Sequence, residues 1–163
     1  MMNWIYLIDA LNGTILHSRQ LSRPFLVTDL NGCNDITDFV GITGTPIVDP
    51  ATDTIYLFSK SYRDMSPTGP TGTLNGVYRV WAVSAVDLST RAGFPVVLDG
   101  RTADNDVGKW FHGGTHLQRV SAHLQNGVVY GGFAGHWYVS PKRNMGDWVG
   151  AMQVGRLMDS ERD

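Results

Sequence analysis

At 163 residues the chain is long enough for one domain with a substantial core, and 42% hydrophobic against 17% charged residues excludes a disordered polypeptide. A net charge of −2 leaves no electrostatic footprint for nucleic acid or an anionic membrane, and no apolar run approaches the roughly 20 residues of a membrane span. Cys33 is the single cysteine, so no internal disulfide can form, and 19 Gly with 7 Pro and no Gly-X-Y period favour tight turns over long helices.

Trp4 to Ile8 reads as a strand, Asp9 to Gly13 as its turn and Thr14 to Leu21 as the outgoing strand. The opening MMNWIYLIDALNG has a short apolar run and no basic leader, unlike a signal peptide, and a chain that starts inside a strand pattern is expected to continue upstream. Asn12-Gly13-Thr14 fits the N-glycosylation acceptor pattern in a surface turn, which makes Asn12 the glycosylation candidate if the protein is secreted. Asn31 to Asp38 is a polar loop.

Gly41 to Ser59, GITGTPIVDPATDTIYLFS, predicts a hairpin. Ile42 to Val48 is apolar and β-branched, Asp49 to Asp53 carries turn chemistry with Asp53 tolerant of a left-handed backbone, and Thr54 to Ser59 resumes as a buried strand. Pro67, Gly69, Pro70, Gly72 and Gly76 make Ser61 to Gly76 a long exposed connection.

Val77 to Leu88 is the strongest strand candidate and Phe94 to Leu98 a short one, followed by a polar, Gly-containing connection from Asp99 to Gly114. A second hairpin places SAHLQ and VVYGGF on either side of Asn126-Gly127, the dipeptide best suited to a primed turn. Trp148 to Val154 is the last strand, and the tail from about residue 155 is expected to be disordered. Trp4, Trp81 and Trp148 lie in strand patterns and are expected in the core.

Two segments recur. Thr54-Ile55-Tyr56 matches Val128-Val129-Tyr130 at an offset of 74, and Ile8 to Gly13 matches Val86 to Arg91 at an offset of 78. Independent segments repeating in the same order at nearly one spacing predict a repeated supersecondary unit, and no segment has a capped amphipathic helical period. The expected fold is all-β, with antiparallel strands in successive blades, treated as a single segment over residues 1–163.

The stretches Ile8-Asp9-Ala10-Leu11-Asn12-Gly13, Ala85-Val86-Asp87-Leu88-Ser89-Thr90 and Thr45-Pro46-Ile47-Val48-Asp49-Pro50-Ala51-Thr52 carry a recognisable pattern. It resembles the repeat of quinoprotein-type (PQQ-like) β-propellers, as do Thr115 to Arg119 and Asn126 to Tyr130, so the resemblance spans most of Ile5 to Phe133. This chain departs from that repeat at Arg91 and Asp53, where Gly is usual, and at His17, where the repeat has Trp. The resemblance implies a propeller that is incomplete within this chain, with about one full blade and two partial ones, and favours an extracellular or extracytoplasmic location.

The chemistry-bearing residues are densest in His112-Gly113-Gly114-Thr115-His116, with Arg119 after it. A zinc site is not predicted, because Gly113-Gly114 gives no fixed ligand face and no acidic residue adjoins in sequence. Trp110 and Trp137 stand in loop-like surroundings and could form an aromatic platform, so Trp110, His112, His116, Arg119 and Trp137 are the ligand-binding candidates. No catalytic residue is assigned: no nucleophile elbow, phosphate loop or paired-carboxylate constellation occurs.

The expected role is a non-catalytic binding or structural module. Its partners would be further propeller blades or identical subunits, with a carbohydrate or protein ligand at loops Ser61 to Gly76 and Asp99 to Thr115. No cofactor is predicted. The alternative is a degenerate or truncated quinoprotein-type oxidoreductase, for which the resemblance implies PQQ and calcium; oxygen ligands could come from Asn31, Asn34, Asp35 and Asp38, but the paired cysteines of such enzymes are lacking.

Overall fold

A computed structural model describes residues 2–30, 36–103, 106–135 and 150–154. In chain order the strands are β1 (Trp4–Ile8), β2 (Ile15–Gln20), β3 (Phe25–Leu26), β4 (Phe39–Val40), β5 (Ile47–Asp49), β6 (Thr54–Tyr62) and β7 (Gly76–Ser84). They continue with β8 (Val96–Val97), β9 (Thr102–Ala103), β10 (Asp106–Trp110), β11 (His116–Leu117), β12 (His123–Gln125), β13 (Val128–Gly135) and β14 (Gly150–Val154). Helical structure among the described residues is confined to the 3-10 turns Val27–Leu30 and Thr73–Asn75, so the protein is mostly β, and all strand pairs among the described residues are antiparallel.

The middle of the molecule is the four-stranded meander β5-β6-β7-β8. Every residue of β7, and all of β6 except Ile55, is buried. Alternation along these strands sends Tyr56, Phe58, Tyr78, Val80 and Ala82 to one face and Leu57, Trp81 and Val83 to the other. The first face packs against Phe111, Ala122, Val129 and Phe133, with the Phe133 ring edge-on to Phe58 at 5.5 Å and to Tyr78 at 5.1 Å. The second meets the β1-β2 hairpin through Ile5 and through Leu21 just beyond it. Three sheets are therefore stacked, and strands buried on both faces must read as near-continuous apolar runs rather than alternating ones.

Three pairs of strands start at nearly the same spacing. β5 and β12 start at Ile47 and His123, 76 apart; β6 and β13 at Thr54 and Val128, 74 apart; β7 and β14 at Gly76 and Gly150, again 74 apart. The two-residue change of offset falls at the hairpin, where Pro50 to Asp53 connects β5 to β6 and only Asn126 and Gly127 connect β12 to β13. Both turns use the backbone that the sequence suggests: Asp53 has φ 48°, Asn126 φ 50° and Gly127 φ 71°.

Several expectations need correction. Gly41 to Pro46 is not strand, because Gly and Pro interrupt it and its polar groups turn elsewhere: Gly41 accepts from the Lys60 amide and Thr45 from the Ala122 amide. Asp99 to Gly114 is not purely a connection. It contains β9 and β10, formed by backbone pairing that needs no apolar side chain, and Trp110 pairs opposite Thr102. Trp4 is 43% exposed rather than in the core, since it shares with Tyr6 and Ile8 the side of β1 turned away from the central sheet. Trp81 is in the core, whereas Trp148, Cys33 and the tail from residue 155 lie outside the described residues.

Candidate functional site

Two cations sit in the strands that bury the most. Lys60 on β6 stands between Ser59 and Ser61, Arg79 on β7 interrupts an apolar run, and neither reaches solvent appreciably. Burial of an ion is costly unless its donors are used. Arg79 donates to Ser61 Oγ, to the Tyr62 carbonyl at 2.8 Å and to the Arg63 carbonyl at 2.8 Å, which fixes the departure of the chain from β6. Lys60 Nζ donates to the carbonyl oxygens of Gly114 at 3.0 Å and His116 at 2.8 Å, and lies 4.5 Å from the Phe25 ring centre and 5.5 Å from that of Tyr78.

That ammonium pins the turn that carries the histidines. The backbone at Gly113 runs against β7 so closely that a Cβ there would meet Val77 Cα and Tyr78 N at 2.6 Å, and a Cβ on Gly114 would collide with the Thr73 carbonyl. The glycine pair therefore serves close approach. The His112 carbonyl gathers the His116 ring Nδ1 at 2.8 Å and the Thr115 amide at 3.2 Å. Burial pushes the His116 imidazole below its usual pKa, opposed by its bond to the His112 carbonyl and reinforced by Lys60.

Asp99 joins the two long connections. One carboxylate oxygen accepts from the Gly113 amide at 2.9 Å and the other from Arg63 Nη2 at 2.5 Å, so the segments after β6 and β8 meet at one end of the central sheet. The expected Ser61 to Gly76 connection is shorter, because Ser61 and Tyr62 complete β6 and Gly76 opens β7; from Arg63 to Asn75 it is exposed over most of its length yet anchored: Arg23 donates to the carbonyls of Pro67, Gly69 and Pro70, and Asp29 accepts from the Gly72 amide. Asp29 also accepts from Tyr62, whose hydroxyl is pushed up to about 12 by burial and by that carboxylate.

Of the ligand candidates, the structure unites His112 and His116. Trp110 is 59% exposed at the end of β10, Arg119 is exposed beyond β11, and Trp137 lies outside the described residues. Inward from Arg119, Gln118 is clamped by its amide to the Tyr78 hydroxyl at 3.0 Å and by its carbonyl to Thr43. Burial raises the Tyr78 pKa above its ordinary value. Lys60, Arg79 and Asp99 were missed as site residues; the available signal was a lone cation within each of two otherwise buried strands.

Asn12 sits on an exposed turn, its side chain accepting from the Thr14 amide at 2.8 Å and donating to Asp9 at 3.1 Å. Among the described residues no group of three His, Cys, Asp or Glu is placed to hold a metal; of the suggested calcium ligands, Asn31, Asn34 and Asp35 lie outside them. No helix among the described residues is long and apolar enough to cross a membrane. Comparison with protein families, with curated proteins and with solved structures found no match.

Proposed function

We propose that the chain is a non-catalytic β-propeller-type module, one whole blade with parts of its two neighbours, that binds or supports partners within a larger ring or assembly. The observation that carries this reading is the central sheet, covered on one face by the β1-β2 hairpin and on the other by the residues around β13. The stack does not end in a polar surface. Trp4, Tyr6 and Ile8 turn away from the core on the first hairpin, with Tyr6 and Ile8 each 52% exposed and the Trp4 and Tyr6 rings stacked 6.1 Å apart. Such a row on a sheet face suits burial against another sheet, supplied by further blades or an identical subunit. The joined connections around Asp99, with Trp110 beside them in sequence, form the ligand-facing edge.

Light scattering on the purified chain, with circular dichroism on the same sample, tests the reading. A discrete β-rich oligomer that Tyr6→Lys converts to a folded monomer supports it. A well-folded monomer indifferent to Tyr6→Lys overturns it.

A further inference from the structure

A neutral imidazole carries one N–H. At His116 the Nδ1 atom faces the His112 carbonyl oxygen at 2.8 Å, and because a carbonyl only accepts, Nδ1 holds the proton. Nε2 is then a bare lone pair, buried with no hydrogen-bond partner among the described residues, in a side chain only 3% exposed. The next proton to reach this ring must go to Nε2, which is shielded from solvent and faces no acceptor among the described residues.

We propose that the turn from Phe111 to Gln118 is an acid-sensitive latch, opened when His116 takes a second proton. The latch is held on the β6-β7 sheet by Lys60 through the carbonyls of Gly114 and His116 and by Tyr78 through the Gln118 amide, and outside that sheet by Asp99 through the Gly113 amide and by the pairing of His116 and Leu117 with Gly135 and Ala134 of β13. Protonation puts a cation on the same turn that the Lys60 ammonium grips. Among the described residues the charged and titratable groups acting on the imidazole are Lys60 from β6, His112 from its own turn and Asp99 from the connection after β8; Arg63 engages Asp99. The Phe111 ring lies 4.9 Å away and gives the new charge no hydrogen bond.

Burial lowers the folded-state pKa, and the carbonyl and Asp99 only partly oppose it. The latch is therefore at full strength above the unfolded imidazole value of about 6.5, and weakens as pH falls from there through the lower folded value. For each unit of lowering, the open state gains about tenfold. Because the turn is tied to Asp99, its release loosens the edge where the two long connections meet, so acidification changes what that edge presents.

Amide hydrogen exchange on the intact chain, corrected for intrinsic rates and compared at about pH 7.5 and about pH 5, reads the opening directly. Amides of Gly113 to Gln118 should open several-fold more often at the lower pH, by the rule of about tenfold per unit, while those of the β6-β7 ladder stay protected. His116→Asn keeps a side-chain amide near the His112 carbonyl and removes the titration, so its opening should not respond to pH. Equal pH responses in the two proteins, or opening of the whole sheet together, would overturn the proposal. If the variant does not fold, the His116 ring signals of the unmodified protein decide: a ring that protonates at an ordinary imidazole pKa while the turn stays closed also overturns it.

Discussion

The Lys60 ammonium donates to the carbonyl oxygen of His116 at 2.8 Å, joining residues 56 positions apart in the chain. A strand that is almost wholly buried thus uses its one cation to hold a glycine-containing turn against the core. The energetics follow from the alternative state, in which two backbone carbonyls are buried without that donor.

Lys60→Met keeps an unbranched apolar side chain, one atom shorter than that of lysine, and removes its donors. Unfolding free energy should fall by about 3 kcal/mol, read as a lower urea midpoint. An unchanged midpoint would mean that the ammonium is not holding the turn.

Gly114→Ala tests the close approach of that turn. The new methyl would strike the Thr73 carbonyl oxygen and come within 3.0 Å of His112 Cε1. Because the obstacle is backbone, the chain must shift, at a cost of about 2 kcal/mol in denaturant unfolding. Wild-type stability for this variant would show that the turn has room to move.

Gly127→Val acts through backbone conformation rather than crowding, since nothing lies within 4 Å of a Cβ at that position while φ is +71°. The hairpin joining β12 to β13 should lose more than about 1 kcal/mol. An unaltered thermal midpoint would contradict the primed-turn geometry.

Asp87 provides a prediction about pH. Its carboxylate accepts from the Ser89 amide at 3.0 Å and the Ser89 hydroxyl at 2.7 Å, which lowers its pKa to about 2. The ionised form is favoured in the folded chain, so the turn's contribution is complete above the unfolded carboxylate value of about 3.9 and is lost as pH falls through about 2. Carboxyl-carbon NMR should show a midpoint near the lower value, and Ser89→Ala should move it upward. A midpoint at the ordinary carboxylate position would remove these bonds from the turn.

Local chemistry made much of the strand plan legible. Asn126-Gly127 and the Asp53 turn announce their conformations because only a few residues accept a left-handed backbone at low cost. The spacing of Thr54-Ile55-Tyr56 against Val128-Val129-Tyr130 became a register of whole strands because each run begins its own central strand. The polar strands β9 and β10 were hidden, since backbone pairing leaves no mark in a sequence that lacks alternation.

By itself, then, the sequence determined the all-β class, the positions of the main turns and the two hairpins at Asp49 to Asp53 and Asn126-Gly127, all properties of residues close together in the chain. Which face of each strand is covered was a tertiary matter: Trp4 and Trp81 look alike in their strand patterns, yet one is 43% and the other 1% exposed. The histidine turn belongs to the same category. Its geometry depends on Lys60, Tyr78 and Asp99, brought together by sheet pairing across long sequence separations, and no local spacing encodes such convergence.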